Sequence, residues 1–455
     1  MSAGVRREDL KRVSRFARNR SIGIAVFLLL CGGAPGAWGQ GTEYKLSSAE
    51  QVFLEDLSRR SFRYFWEQAD AGTGLVLDRA RADGAGPADD RVPIASIAAT
   101  GFGLTALCVG AERRWEDPAS IRDRVRTTLR FLGIRFIHER GFYYHFVNAV
   151  TGAREWKSEL SSIDTALLLA GVLTARQYYR DDQEIYDLAT RIYRRVDFPW
   201  MLDGHPTLLS HGWRPETGFI KNRWADYSEH TMLYLMAIGS PTHAIPSAAW
   251  RAWRRDWATY GQFRYLHSGT PLFTHQYSHA WVDYRGRREG GEAGVDYFAN
   301  SILATYAHRQ FCLDLAGEFP GYTEKIWGIS ASDSMKGYVA WGGPPRHPAI
   351  DGTVVPCAAA GSLMVNPEIS LPALMAMRDR FGERIYLRYG FVDAFHPVNG
   401  WTNPEVIGID VGITLLSAEN LRTGAVWRWF MRNPEIRRAL DLAGLRLDPP
   451  RPRGK

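Results

Sequence analysis

The most informative segment of this sequence is a polar loop that runs directly into an apolar helix. It reads Tyr227-Ser228-Glu229-His230-Thr231-Met232-Leu233-Tyr234-Leu235-Met236-Ala237-Ile238-Gly239-Ser240-Pro241. The pattern predicts Glu229 in the first turn of this helix. A carboxylate there can be a helix cap that the helix dipole favours. Beside aromatic rings and partly buried, it can instead be a general acid, because burial raises a carboxyl pKa. The aromatic setting favours the second interpretation.

Helical periodicity continues on both sides of this segment. A capping-box pattern at Ser47 and Glu50 predicts the start of the first helix. Further helices are predicted at 94–109, 121–138, 161–179, 184–196, 247–260, 297–315 and 367–380, and two more within 411–440. Strand patterns are scarce, and the clearest, 142–146, predicts one arm of a small hairpin. Apolar helices alternate with amphipathic ones, which predicts an all-α double ring with long loops at one end.

Several motifs lie downstream in a fixed order. They are Thr-His-Gln-Tyr-Ser-His-Ala-Trp at 274–281, Trp-Gly-Ile-Ser-Ala-Ser-Asp at 327–333, Ile-Asp-Gly-Thr-Val-Val-Pro at 350–356, Tyr-Gly-Phe-Val-Asp-Ala-Phe at 389–395 and Ile-Gly-Ile-Asp-Val-Gly at 407–412. Together with the 227–241 segment, they resemble the glycoamylase-like domain, the family that contains bacterial endo-β-1,2-glucanases. The resemblance implies an (α/α)6 toroid, a cleft at the mouth of the inner ring, and hydrolysis of β-1,2-glucan.

Glycoside hydrolysis requires two carboxyl groups on either side of the scissile bond. Glu159 comes just before an apolar run, as Glu229 does, and the resemblance places acidic site residues in both segments. Asp164, five residues after Glu159 and on another face if both are helical, is a further catalytic candidate, with helix capping or arginine binding as the alternative. Asp410, between Gly408 and Gly412, is either a third catalytic candidate or a helix N-cap. We expect Glu159 and Glu229 on neighbouring inner helices, with a water-sized gap that predicts inversion of the anomeric carbon.

Aromatic and polar loop residues are candidates for sugar binding. Tryptophans in loops containing Gly or Pro can stack on sugar rings or pack in the core, and turn residues can bond to hydroxyl groups. His275 and His279 lack a third metal ligand at a sensible spacing, so sugar contact or structural hydrogen bonding is the expected role of this segment. The predicted substrate-binding residues are Trp213, Trp224, Tyr227, His275, Tyr277, Trp281, Trp341, Asp351 and Trp401.

The N-terminal residues have the pattern of an export signal. Residues 1–39 carry a net charge of +5 of the chain's +7, and an apolar run at 22–31 is too short to span a bilayer. We predict cleavage after Gly39 and a periplasmic or secreted protein. Lipid anchoring at Cys31 is disfavoured, since Leu30 is large where a lipoprotein box has a small residue. The near-neutral remainder gives no support for nucleic-acid binding.

One catalytic domain is predicted at 40–445, followed by a disordered tail at 446–455. Three cysteines remain after signal removal, which implies no disulfide framework, and no metal motif or cofactor is predicted. The expected partner is a glucan, the expected state a monomer without membrane insertion, and the expected activity internal cleavage to short oligosaccharides such as sophorose. A transglycosylase, a non-catalytic glycan-binding protein and a polysaccharide lyase remain alternatives.

Overall fold

The computed structural model describes residues 44–86, 92–269, 271–291 and 294–448. The predicted export signal therefore lies outside the described residues. Fourteen α-helices occur in the described part of the chain. They are α1 Ser48–Glu67, α2 Ile97–Arg113, α3 Pro118–Arg130, α4 Ser162–Tyr178, α5 Gln183–Arg194, α6 Thr231–Gly239, α7 Ala249–Ala252, α8 Tyr277–Trp281, α9 Tyr297–Asp314, α10 Pro356–Ala360, α11 Pro367–Phe381, α12 Gly408–Thr423, α13 Ala425–Phe430 and α14 Pro434–Ala443.

Two classes of helix alternate along the chain. The helices α2, α4, α6, α8, α10 and α12 are buried almost all round, whereas α1, α3, α5, α9, α11 and α14 bury one face. An apolar helix needs cover on every side, so the first set forms an inner ring and the second an outer ring. This is the (α/α)6 toroid predicted from the sequence. Helices α6 and α12 are three places apart in the order of the inner ring.

Fifteen short strands occur in the described part of the chain. They are β1 Arg79–Arg81, β2 Ile94–Ser96, β3 Phe146–Asn148, β4 Leu160–Ser161, β5 Gly212–Arg214, β6 Gly218–Phe219, β7 Trp257–Tyr260, β8 Phe263–Leu266, β9 Arg287–Glu289, β10 Ser332–Ser334, β11 Gly337–Val339, β12 Tyr386–Leu387, β13 Gly390–Phe391, β14 Glu405–Ile407 and β15 Leu445–Leu447. Strands β2, β4 and β14 end where α2, α4 and α12 begin. They pair antiparallel with β3, β5 and β1 respectively, which fixes these helix starts at the mouth of the ring.

Glycines allow the inner helices α2 and α4 to approach closely. A Cβ atom at Gly101 would lie 2.2 Å from the carbonyl oxygen of Leu167, and one at Gly171 would lie 2.1 Å from the carbonyl oxygen of Gly101. Both contacts are with backbone, which cannot move aside without moving the helix. The closeness of this helix pair therefore depends on the absence of two methyl groups.

Four sequence predictions differ from the structure. Residues 247–260 were expected to be one helix, but α7 ends at Ala252 and β7 pairs with β8 across a turn at Gly261. The predicted 142–146 strand begins later, at Phe146, and the two helices predicted within 411–440 are three, α12, α13 and α14. At the C-terminus, the chain continues beyond the expected domain end at 445, because β15 pairs with β9 up to Leu447. The alternating burial and the glycine turn of β7 and β8 explain the first difference.

Candidate active site

Glu229 lies in a turn at the start of α6. The helix begins at Thr231, so Glu229 precedes it by two residues instead of lying in its first turn, and its side chain does not cap the helix. Ser278 Oγ closes this end instead: it donates to the carbonyl oxygen of Glu229 at 2.5 Å and accepts from Met232 N at 2.9 Å. The carboxylate accepts a hydrogen bond from Ser228 Oγ. The position therefore leaves the Glu229 carboxyl group available for chemistry.

The surroundings of Glu229 favour its protonated form. Burial raises the pKa of Glu229, the Ser228 hydroxyl offsets part of that shift, and the negative charge of Asp164 raises the pKa further. Glu229 in turn contributes to the raised pKa of Tyr277, which is due first to burial and then to Asp410. Tyr277 therefore lies within electrostatic reach of both Glu229 and Asp410. A carboxyl group with a raised pKa is suited to proton donation near neutral pH.

A histidine missed by the sequence reasoning joins Glu159 and Asp164. His145 Nδ1 lies 3.2 Å from Glu159 Oε1, and His145 Nε2 lies 3.5 Å from Asp164 Oδ1. Burial lowers the pKa of His145, but Asp164 and Glu159 outweigh it and the net shift is upward. A cationic imidazolium between two carboxylates is the arrangement that these shifts favour. Because Glu159 precedes α4 on extended backbone, the helical spacing that was expected to separate it from Asp164 does not apply.

The surroundings of Glu159 favour its ionised form. The hydrogen bond with His145 lowers the pKa of Glu159 to about 2, burial opposes this, and Arg214 lowers it further. Arg214 Nη2 lies 3.1 Å from Glu159 Oε2, so both carboxylate oxygens are engaged. Asp164, in the first turn of α4, accepts a 2.5 Å hydrogen bond from Ser161 Oγ. These contacts suit Glu159 to orienting His145 and leave it little basicity for activating water.

Asp410 and Asp393 form a buried carboxyl pair on the other side of the ring. Burial raises the pKa of both groups, and the proximity of Asp410 raises that of Asp393 further. Oδ1 of Asp393 and Oδ2 of Asp410 have no hydrogen-bond partner elsewhere in the described residues, as expected for two carboxyl groups that share one proton. Tyr277 Oη donates to Asp410 Oδ1 at 3.4 Å, and the Asp410 side chain does not cap α12. Burial and the proximity of the two carboxyl groups therefore favour a single proton shared by the pair.

A polar network fixes Asp393 and reaches the first cluster. Asp393 Oδ2 accepts from Asp333 N at 2.8 Å and from Asn403 Nδ2 at 3.0 Å. Arg79 Nη1 donates to Asp333 Oδ2 at 2.8 Å, and Arg79 Nε lies 3.3 Å from Asp78 Oδ2. Burial raises the pKa of Asp78, and the charge of Asp164 raises it as well. Asp78 thus lies within electrostatic reach of carboxylates of both clusters, Asp164 in the first and Asp410 in the second.

Four of the predicted substrate-binding aromatics are buried parts of the scaffold. Trp224 Nε1 donates to Ser162 Oγ at 2.9 Å, Trp281 Nε1 to Thr105 Oγ1 at 3.0 Å, and Trp341 Nε1 to Ser332 Oγ at 3.0 Å. Tyr227 packs its ring 5.9 Å from that of Tyr297. These rings hold the inner helices and the loops in place and offer little surface to a sugar.

The remaining predicted binding residues occupy different settings. His275 is buried beside Ser268 Oγ at 2.9 Å, and burial lowers its pKa to about 3, so it is neutral. Asp351 Oδ1 accepts from Thr353 N at 3.0 Å, which makes it a turn residue. Trp213 is half-buried on β5 opposite Leu160, next to Glu159 in sequence, and Trp401 is half-buried against the core. Of these four residues, Trp213 lies nearest to a catalytic candidate, because it pairs across the strands with Leu160, the residue after Glu159.

Tyr338 is a further rim residue that the sequence reasoning missed. It lies on β11 with 54% of its surface exposed. Burial of its hydroxyl end raises the pKa of Tyr338, and the charges of Asp410 and Asp393 add to this. An exposed ring whose hydroxyl group senses the carboxyl pair is suited to contact with bound substrate. A lone tyrosine in a Gly-containing hairpin gives no periodic signal by which sequence alone could find it.

The described residues contain neither a cluster of metal ligands nor a membrane-spanning helix. Within them, no group of three or more His, Cys, Asp or Glu side chains is arranged to hold a metal ion. None of the helices in the same ranges is long and apolar enough to cross a membrane.

Comparison with known proteins gives the site its family context. Residues 221–434, which include Glu229, Tyr277 and Asp410, match the family model described as "Putative glucoamylase". This match covers just under half of the chain and indicates a resemblance to the glycoamylase-like family. A solved structure from Bacteroides fragilis with the same description has a TM-score of 0.81 and 29% identity, covering 89% of this chain and 100% of that one. An endo-β-1,2-glucanase from Chitinophaga pinensis, solved with sophorotriose and glucose, has a TM-score of 0.80 and 27% identity, covering 88% and 99%.

A further relative is similar to this chain in sequence. An exo β-1,2-glucooligosaccharide sophorohydrolase (non-reducing end) of Parabacteroides distasonis is 26% identical over 86% of this chain. The aligned region spans 58% of the length of that relative. The similarity therefore extends only to the aligned part of that relative.

Proposed function

We propose that this chain is a glycoside hydrolase that cleaves β-1,2-linked glucan to short oligosaccharides such as sophorose. The β-1,2-glucan hydrolases among its relatives support the linkage. The observation that carries the proposal is a partly buried Glu229 carboxyl group biased toward protonation, together with an Asp410–Asp393 pair whose proximity favours a single shared proton, both within electrostatic reach of Tyr277. One proton donor and one ionised carboxylate are the two groups that glycoside hydrolysis requires.

In the proposed reaction, Glu229 donates its proton to the glycosidic oxygen as the bond to the anomeric carbon breaks. Asp410 accepts a proton from a water molecule whose oxygen forms the new bond to that carbon. Asp393 keeps the shared proton near Asp410, and Tyr277 donates to Asp410 Oδ1. Because α6 and α12 are three places apart in a ring of six, their carboxyl groups approach the sugar from opposite sides. Room for a water molecule between them favours inversion.

Glu159 and Asp164 are assigned supporting roles in this scheme. Glu159 holds His145 through a 3.2 Å contact, and His145 holds Asp164 close enough to raise the pKa of Glu229. Asp164 is the alternative base, since it lies in the first turn of α4 near Glu229. The acid limb of the pH–rate profile distinguishes the two: the base is the residue whose Asn variant abolishes that limb.

The proposed function is tested with a panel of β-1,2-, β-1,3- and α-1,4-glucans, with products separated by chromatography. Release of sophorose-sized products from the β-1,2-glucan alone is the expected result. Cleavage of another linkage in preference would refute the substrate assignment. Products longer than the substrate would identify a transglycosylase, and binding without products would identify a glycan-binding protein.

Export is part of the same proposal, because an enzyme that cleaves a polymeric glucan outside the cytoplasm has to leave the cytoplasm to reach it. The apolar run at 22–31 and the small residues up to Gly39 support cleavage before Gln40. Mass spectrometry of the protein from the periplasm or medium should give a mature N-terminus near Gln40. Cytoplasmic protein that retains residues 1–39 would contradict export.

A further inference from the structure

An exposed tryptophan lies beside the proposed catalytic cluster. Trp156, in the loop that joins β3 to β4, leaves 63% of its surface exposed. Tryptophan is highly buried on average in folded proteins, because its large ring gains most from leaving water. None of the catalytic steps proposed above uses this residue.

The backbone that presents Trp156 is strained. Ser158 N donates to the carbonyl oxygen of Glu155 at 2.9 Å, and both central residues of this turn have positive φ, 52° at Trp156 and 50° at Lys157. Positive φ at both positions is the pattern of a type I′ turn, for which Asn-Gly is the preferred sequence. A non-glycine residue in this conformation is strained, because its Cβ atom lies too close to the following carbonyl oxygen. The turn therefore carries a residue pair that folding alone disfavours.

Arg154 holds the strained turn in place. Its Nε donates to the carbonyl oxygen of Ser158 at 2.5 Å, and its Nη2 donates to that of Lys157 at 2.7 Å. Its Nη1 lies 2.5 Å from Glu216 Oε1 in the β5–β6 hairpin, and its guanidinium lies 4.8 Å above the ring of Tyr144. A strained turn persists when its surroundings fix it in this way, and such positions are concentrated at functional sites.

Trp156 is the outer member of a column of rings that ends at the catalytic cluster. Its ring centroid is 4.9 Å from that of Phe146, whose ring stacks on His145 at 3.8 Å. His145 lies in turn between Glu159 and Asp164. Two ring contacts thus separate the exposed indole from the carboxylates, which places Trp156 at the outer edge of this cluster.

We propose that Trp156 is a sugar-stacking platform that binds a glucosyl unit of the chain away from the scissile bond and so determines the preference for chain length. The inference rests on the proposed function. The flat indole face offers apolar contact to the C–H face of a pyranose ring, and a ring fixed by a rigid turn loses little entropy when it binds. Substrates too short to reach the platform gain nothing from it.

The test is Trp156→Ala, compared with the wild type on β-1,2-glucooligosaccharides of increasing length and on the polymer. We expect kcat/KM for the polymer to fall about threefold to tenfold, the range of one aromatic contact. The shortest substrate that is cleaved should change less than about twofold. Trp257→Ala is the matched control, because Trp257 is also exposed, by 44%, but lies on β7 against Arg264. Trp156→Phe should retain most of the length preference.

A second variant tests the turn. Trp156→Asn with Lys157→Gly supplies the residues that a type I′ turn favours, so this double variant should be at least as stable as the wild type while losing the length preference. An equal loss on every substrate length would reduce Trp156 to a support for His145, and no loss on any length would also refute the platform. So would the same effect from Trp257→Ala.

An experiment that refutes the Trp156 platform can be distinguished from one that refutes the proposed function. If wild-type protein leaves β-1,2-glucan intact, the linkage assignment is refuted. The length series is then measured as binding, by affinity electrophoresis in gels that contain whichever glucan of the panel the wild type retains. Equal retardation of Trp156→Ala and wild type in that gel would refute the platform, and retention of neither protein by any glucan would refute it as well.

Discussion

Glu229→Gln separates a catalytic acid from a helix cap, because the two roles predict opposite changes in stability. Loss of a positioned general acid lowers the rate by about 10²–10⁴, equivalent to about 3–5 kcal/mol of transition-state stabilisation. Loss of a helix cap would lower the free energy of unfolding by about 0.5–2 kcal/mol. The structure gives the α6 cap to Ser278 and leaves Glu229 partly buried with a raised pKa.

The pH dependence gives the sign of the stability change. The pKa of Glu229 is raised in the folded protein from its ordinary value of 4.5. At a pH above 4.5, the carboxyl group therefore ionises more readily in the unfolded chain than in the folded protein. The free energy of unfolding consequently falls as the pH rises from 4.5 to the folded pKa. Replacing the carboxyl group by an amide removes this cost, at about 1.4 kcal/mol for each unit by which the pKa was raised. Glu229→Gln should therefore be more stable than the wild type at pH 7, with the difference disappearing near pH 4.

Two assays decide the matter: initial rates on β-1,2-glucan, and urea unfolding at pH 7 and pH 4. Asp226→Asn is the control, since Asp226 is an exposed carboxylate of the same loop, 2.5 Å from Arg254 Nε. We expect this variant to keep its rate within about twofold and its stability within about 1 kcal/mol. Near-normal turnover of Glu229→Gln, or equal destabilisation at both pH values, would refute the argument.

Three further outcomes are expected. Asp410→Asn should reduce kcat by at least about 10²-fold and remove the acid limb of the pH–rate profile. Asp393→Asn keeps hydrogen-bond donors beside Asp410 and should therefore reduce kcat less. Equal reductions in the two variants would contradict the role of Asp410 as the base. Glu159→Gln should lower the free energy of unfolding at pH 7 by about 1–3 kcal/mol after solvent screening. Because the pKa of Glu159 is lowered to about 2 in the folded protein, the difference between variant and wild type in urea unfolding should shrink as the pH falls from 4.5 toward 2. A difference independent of pH would contradict the ion pair with His145. Proton NMR of early products should show the α-anomer first from a β-linked substrate, and initial β-anomer would indicate a covalent intermediate.

The sequence predicted the helices better than it predicted the site. The capping box at Ser47 and Glu50 is confirmed, with Ser47 N donating to Glu50 at 2.8 Å, because its signal is local. Glu229 and Asp410 were identified as candidates for a similar reason: each is an acidic residue beside the start of an apolar helix, which periodicity reveals.

The missed residues lie on elements that have no period. His145 and Asp78 flank short strands, and Asp393 follows one, so their meeting depends on how the ring closes. The Asp393–Asp410 pair links a loop to the first turn of α12 through tertiary contact, and Asn403 and Asp333 complete it from other parts of the chain. A single sequence carries no local record of such contacts. The burial of Trp224 and Trp341 was not predictable for the same reason, since loop position alone does not say whether a ring is exposed or lies in the core.

The close approach of α2 and α4 at Gly101 and Gly171 bears on how this enzyme class can change its substrate. These glycines lie below the mouth, and neither belongs to the catalytic cluster, yet they fix the distance between two walls of the cleft. A single methyl group at either position would act as a wedge and widen the aperture above it. Selection for bulkier or branched glycans can therefore operate on the floor of the ring, while every residue that contacts the sugar stays the same.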